Sequence, residues 1–122
     1  MKILIVDDED DIRQIASLSL TRLGGMEVEE AATGAEAVTC AERTAPDLIL
    51  LDVMMPAMDG PATLAALRGN PRTARIPVVF LTAASGADEV SRLKALGAAG
   101  VVPKPFDPIE LPGLVRSVLA RS

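Results

Sequence analysis

Five residues stand apart by type and by place. Asp7 and Asp8 directly follow the apolar run 3–6, and Asp52 directly follows the apolar run 48–51. Thr82 follows the run 78–81, and Lys104 follows 101–102 and Pro103. Three carboxylates, a hydroxyl and an ammonium are the parts needed to move a phosphoryl group onto a carboxylate. The carboxylate is the nucleophile, the hydroxyl donates to a phosphoryl oxygen, and the ammonium and a cation offset the charge. Three like charges in one place are unfavourable without a cation. A hard ion such as Mg²⁺ suits oxygen ligands and a mixed shell of carboxylate, carbonyl and water.

Each residue also has a plain structural reading. The run Asp7-Asp8-Glu9-Asp10-Asp11 suits a solvated helix start favoured by the helix dipole, and for Glu9, Asp10 and Asp11 that reading is preferred. For Asp7 and Asp8 taken alone, both readings stand. Asp52 ends an apolar run before a Met-Met-Pro turn, with capping or turn formation as its alternative. A lone Thr after a strand is usually a cap, and a lone Lys in a loop is usually a surface charge. Only the set points to chemistry.

That set needs a scaffold that brings strand ends together. The four apolar runs lack polar alternation, as buried parallel strands do. The more polar segment 26–31 reads as a fifth strand, at an edge. Helical patterns lie between the runs. Ile12, Ala16, Leu20 and Leu23 form a stripe widened by Ile15 and stopped at Gly24-Gly25. Segments 34–43 and 60–68 follow, then a face with Glu89, Val90, Leu93 and Leu96. The last stripe carries Leu111, Leu114, Val115, Val118 and Leu119, with Pro112 in its first turn, where a missing N–H does little harm. A βα unit repeated five times predicts an α/β fold with a parallel sheet covered by helices on both faces. In such sheets ligands sit beyond the carboxyl ends of the strands, where the strand order reverses.

The chain of 122 residues fits one domain spanning 1–122, with no linker, repeat or low-complexity segment. Hydrophobic residues make up 49%, but aromatics are two Phe, with no Tyr or Trp, so a ring-stacking ligand site lacks its walls. A net charge of −5 argues against direct nucleic-acid or anionic-membrane binding. The single Cys40 permits no internal disulfide, and with no His the chain builds neither a Ser-His-Asp site nor a His-ligated zinc. The opening apolar run is too short for a signal-peptide core, and no run approaches membrane-spanning length, which favours a cytoplasmic setting.

With these residues in place, the whole chain resembles the response-regulator receiver domains of two-component signalling. Five motifs in order carry the resemblance. They are Ile3-Leu4-Ile5-Val6-Asp7-Asp8-Glu9, Pro46-Asp47-Leu48-Ile49-Leu50-Leu51-Asp52-Val53-Met54-Met55-Pro56, Met58-Asp59-Gly60, Pro77-Val78-Val79-Phe80-Leu81-Thr82-Ala83, and Lys104-Pro105-Phe106. The resemblance implies a doubly wound, flavodoxin-like sheet of order 2-1-3-4-5. It implies that Asp52 accepts a phosphoryl group from a phospho-His on a sensor histidine kinase or phosphotransfer protein. Asp7, Asp8, Asp52 and the backbone carbonyl of Met54 would hold Mg²⁺ (or Mn²⁺). Thr82 would bond the phosphoryl oxygen, Lys104 would pair with its charge, and the Lys104–Pro105 peptide would be cis. The domain would promote its own modification, without being a conventional turnover enzyme, and would then switch binding to a downstream protein.

Several positions depart from the family pattern. Val101 stands where many receivers carry an aromatic ring that swings inward, which places the coupling in Thr82 and the loop 83–86. Gly97-Ala98-Ala99-Gly100 lacks the acidic pair that helps build one dimer face, although Arg116 matches a basic position of that face. Met54 and Ala84, two residues after Asp52 and Thr82, offer no polar handle for a hydrolytic water. The sequence ends at Ser122 without an output segment, which suits a single-domain regulator, a phosphorelay shuttle or a part of a larger protein. Three other readings compete. An Asp-nucleophile phosphatase would want a second carboxylate where Met54 stands. A flavodoxin-like cofactor binder would want rings and a neutral first loop. A scaffold that is never phosphorylated would have no need of five intact positions.

Overall fold

The structure is a computed structural model that describes residues 1–84 and 86–121. Its elements alternate: β1 (Lys2–Val6), α1 (Asp10–Leu18), β2 (Glu27–Ala31), α2 (Gly34–Thr44), β3 (Leu48–Asp52), α3 (Gly60–Arg68), β4 (Val78–Thr82), α4 (Ala87–Ala95), β5 (Gly100–Pro103) and α5 (Leu111–Arg121). All strand pairs are parallel, in the order β2-β1-β3-β4-β5. The order reverses between β1 and β3, whose registers pair Val6 with Leu51. Asp7 and Asp52 therefore leave neighbouring strands at the same level.

Alternation along β1, β3 and β4 divides the core between two faces. Leu4, Val6, Ile49, Leu51, Val78 and Phe80 meet Ala37 and Ala41 of α2, Leu64 and Leu67 of α3, and Leu93 of α4. Ile3, Ile5, Leu48, Leu50, Val79 and Leu81 meet Ala16 of α1 and Leu111, Val115 and Val118 of α5. β1, β3 and β4 are covered on both sides, which is why their sequences read as unbroken apolar runs. β2 is an edge strand with only Ala31 fully buried, in keeping with its polar sequence.

The helical stripes are narrower than the sequence pattern predicts. Ile15, Leu23, Leu96 and Leu114 are 43%, 59%, 47% and 46% exposed rather than core residues. At Leu23 the cause is local: α1 runs on into a π-helical turn, Ser19–Leu23, whose extra residue moves Leu23 off the buried face. The turn ends where Gly24 N–H donates to the Ser19 carbonyl at 3.2 Å and Gly25 takes φ +64°. Arg116 donates to the Gly24 carbonyl, so its guanidinium is engaged within the fold. Val101 is half-buried and packs against the cluster that contains Phe80 and Leu93.

Candidate functional site

The sheet ends at one edge in four acidic or polar side chains and a lysine. Asp7 follows β1 and is fully buried, whereas Asp8 beside it is exposed. Asp52 and Thr82 are the last residues of β3 and β4, 3% and 2% exposed. Lys104 follows β5, and its N–H extends the ladder to the Thr82 carbonyl at 2.8 Å. The Lys104–Pro105 peptide is cis.

Lys104 reaches back across two strands. Its Nζ lies 2.7 Å from Asp7 Oδ2, 3.2 Å from Asp52 Oδ1 and 3.7 Å from Glu9 Oε1. Carboxylate oxygens of Asp7, Asp8 and Asp52 lie within 4.8 Å of one another. Met54 stands at the rim, its side chain exposed and its N–H donating to Asp52 Oδ1 at 3.3 Å. The Thr82 hydroxyl is turned into its own loop: it accepts from Ala84 N–H at 3.0 Å and donates to the Ala84 carbonyl at 3.2 Å. Of the predicted loop 83–86, Ser85 lies outside the described residues.

Backbone geometry lets these ends converge. α3 begins directly beneath Asp52, with Gly60 N–H on the Val53 carbonyl at 2.9 Å and the Asp59 side chain capping Ala62 N–H at 2.9 Å. A Cβ at Gly60 would stand 2.5 Å from the Asp52 carbonyl oxygen and 2.8 Å from Val53 Cα, so only glycine allows this approach.

The electrostatics are unbalanced. Burial and the nearby Asp7 charge push the Asp52 carboxyl up to about 6, against the opposing pull of Lys104 and the Met54 N–H. Burial alone would lower the Lys104 ammonium, but Asp7 and then Asp52 outweigh it and hold it above its ordinary value. Asp7 Oδ2 is buried and, among the described residues, makes no well-directed hydrogen bond, although the ammonium is close. One ammonium thus faces two buried carboxylates and a third at the rim. A buried carboxylate oxygen served only by a shared ammonium, an excess of negative charge and an all-oxygen donor set fit a hard divalent cation.

Two participants were not singled out from the sequence. The sequence reads Glu9 as part of a solvated helix start, yet its carboxylate approaches Lys104. Arg13, one turn into α1, donates through Nη1 to the Asp7 carbonyl at 2.6 Å. The sequence signal for Arg13 is a cation placed two residues after the acid run.

The fold and the site have counterparts among known proteins. The model of the response regulator receiver domain family matches residues 3–116. Ycf27 of Cyanophora paradoxa, described as a probable transcriptional regulator, is 44% identical over 122 residues, covering 99% of this chain and 49% of ycf27. The response regulator Rre1 of Synechocystis is 37% identical over 121 residues, covering 99% of this chain and 52% of Rre1. The chain spans about half the length of the curated relatives it matches. Among solved structures, the chemotaxis protein CheY4 of Vibrio cholerae superposes with a TM-score of 0.88 at 38% identity, covering 96% of this chain and 97% of CheY4. A response regulator from Desulfuromonas acetoxidans gives 0.89 at 29% identity, covering 98% of this chain and 97% of that one. This chain belongs to the response regulator receiver domain family, the input-receiving unit of two-component signalling.

Proposed function

We propose that Asp52 is the phosphoacceptor of this receiver domain, and that Asp7, Asp8, Asp52 and the Met54 carbonyl hold Mg²⁺ (or Mn²⁺). The observation that carries the reading is the Lys104 ammonium, poised 2.7 and 3.2 Å from the carboxylates of Asp7 and Asp52 at the reversal point of the sheet. When bound, the divalent ion would supply positive charge to the phosphoryl oxygens and make the carboxylate cluster tolerable. An Asp52 carboxylate oxygen attacks phosphorus, the bond from phosphorus to the donor's imidazole nitrogen breaks, and an acyl phosphate results. Lys104 pairs with the transferred charge, and the Thr82 hydroxyl leaves Ala84 to donate to a phosphoryl oxygen.

The phosphoryl donor in this reading is a sensor histidine kinase or phosphotransfer protein, and the domain is a substrate that assists its own modification. The output is altered binding to a downstream protein, in the cytoplasm. No described helix is long and apolar enough to cross a membrane. RpaA of Synechocystis, a relative 37% identical, is named as a DNA-binding regulator, and this chain covers 50% of it. The net charge of −5 supports a receiver unit that does not itself contact nucleic acid.

Intact mass after incubation with acetyl phosphate tests the assignment. Wild-type protein with Mg²⁺ gains one phosphoryl group, and Asp52→Asn or removal of the metal abolishes the gain. A gain indifferent to both overturns the site. A phosphatase would instead turn over a phosphate ester, for which Met54 supplies no acid or base.

A further inference from the structure

Asp8 is the exposed member of the carboxylate cluster, and it makes no hydrogen bond or ion pair among the described residues. Its direction is therefore set by the peptide groups on either side. On the far side, Glu9 N–H donates to Asp7 Oδ1 at 2.9 Å. On the near side, Asp7 N–H donates to the Ala31 carbonyl at 3.2 Å, and the Asp7 carbonyl accepts from Arg13 Nη1 at 2.6 Å. The Asp7 carbonyl belongs to the peptide that leads into Asp8, so fixing its oxygen fixes the plane from which Asp8 departs.

Arg13 is itself held. Its side chain is 15% exposed, Nε lies 3.3 Å from Glu30 Oε1 on β2, and Nη2 pairs with Asp10 on its own helix. A planar fork of five donors can engage a carbonyl and two carboxylates together, which an ammonium cannot. The guanidinium thus ties the end of β1 and the start of α1 to the end of β2.

We propose that Arg13, anchored by Glu30, is a positioning residue for the cation site: its grip on the Asp7 carbonyl aims Asp8 at the ion. The proposal rests on the reading that Asp7, Asp8 and Asp52 hold Mg²⁺. It makes a prediction of opposite sign to simple electrostatics. Arg13 is a positive charge beside an acidic site, so removing the charge alone would tighten cation binding. Loss of positioning weakens it, and outer partners of metal ligands commonly contribute 10–100-fold in affinity.

The test is calorimetric titration of Mg²⁺ into the full chain, with the metal-free melting temperature measured on each variant. Arg13→Ala is expected to raise the Mg²⁺ Kd about tenfold. Arg13→Lys keeps the charge and folds with less risk; one ammonium cannot hold all three partners, so its Kd rises about threefold or more. Wild-type or tighter binding by Arg13→Ala overturns the proposal, as does wild-type affinity in Arg13→Lys. A melting-temperature change with Kd unaltered assigns Arg13 a structural role only and also overturns it. Asp8→Asn is the control: if it binds Mg²⁺ like wild type, the cation-site reading itself fails. If it loses binding while the Arg13 variants do not, only the positioning role fails.

Discussion

If Asp52 holds a cation as proposed, proton and cation compete for its carboxylate, and the protein's composition makes that competition readable. In the metal-free fold its carboxyl is pushed up to about 6 from an ordinary 3.8, by burial first and by Asp7 second. A carboxyl raised in the fold is easier to ionise in the unfolded chain. Its contribution to stability is therefore complete below the ordinary value and is lost as pH rises through about 6. The charged groups around it are Asp7, Asp8 and Lys104, with Glu9 3.7 Å from the same ammonium, and the chain has no His to titrate in the same range. The metal-free melting temperature is expected to fall between about pH 5 and about pH 7, and Asp52→Asn to flatten that fall. Equal slopes in the two proteins would show that Asp52 does not carry the effect. Mg²⁺ needs the ionised carboxylate, so it should raise the melting temperature more at about pH 7 than at about pH 5.

Between elements, the site depends on how closely the strand ends and helix starts approach, and this is where sequence reading stops. Unbroken apolar runs followed by Asp7, Asp52, Thr82 and Lys104 were legible, because strands buried on both faces leave a plain hydrophobic signature. The parallel order also followed, given the alternation of elements and the resemblance. What was illegible depends on three-dimensional neighbours. Arg13 meets the Asp7 carbonyl and Glu30 only because β1 and β2 end side by side. Leu23 leaves the core because a π turn shifts the helical face, which a period of 3.6 cannot register. Arg116 looks like a surface cation until α5 lies against the Gly24 carbonyl.

Gly60 belongs to the same scale, and Gly113 is its contrast. A methyl at Gly60 meets the backbone of Asp52 and Val53, whereas one at Gly113 in α5 meets nothing within 4 Å. Urea unfolding should show Gly60→Ala destabilised by about 1–3 kcal/mol, the usual range for overpacking a fixed backbone. Gly113→Ala should be neutral or stabilised by about 0.5–1 kcal/mol through reduced chain entropy. Equal effects would mean that the close approach beneath Asp52 is not a constraint.

For the whole molecule, the proposal that Asp52 accepts a phosphoryl group requires a route from Asp52 to a distant surface. The Thr82 hydroxyl carries one proton, so it cannot donate both to the Ala84 carbonyl and to a phosphoryl oxygen, and these two donor arrangements exclude each other. Releasing the Ala84 carbonyl loosens the approach to α4, a helix whose one fully buried residue is Leu93 and whose start has no side-chain cap. An element with so little buried surface shifts at low cost, and α4 is the one that directly follows the Thr82 loop. Val101 has no ring to turn inward and is half-buried against the core, which leaves the hydroxyl as the link. We therefore predict that phosphorylation moves the amide resonances of Ala84 and of Gly86 to Leu93 in the wild type. Thr82→Ala should take up phosphate to the same extent, measured by intact mass, while those resonances stay near their unphosphorylated positions. If the variant shows the full wild-type shifts, the switch does not pass through the Thr82 hydroxyl, and the signal must leave Asp52 by way of Lys104 and β5.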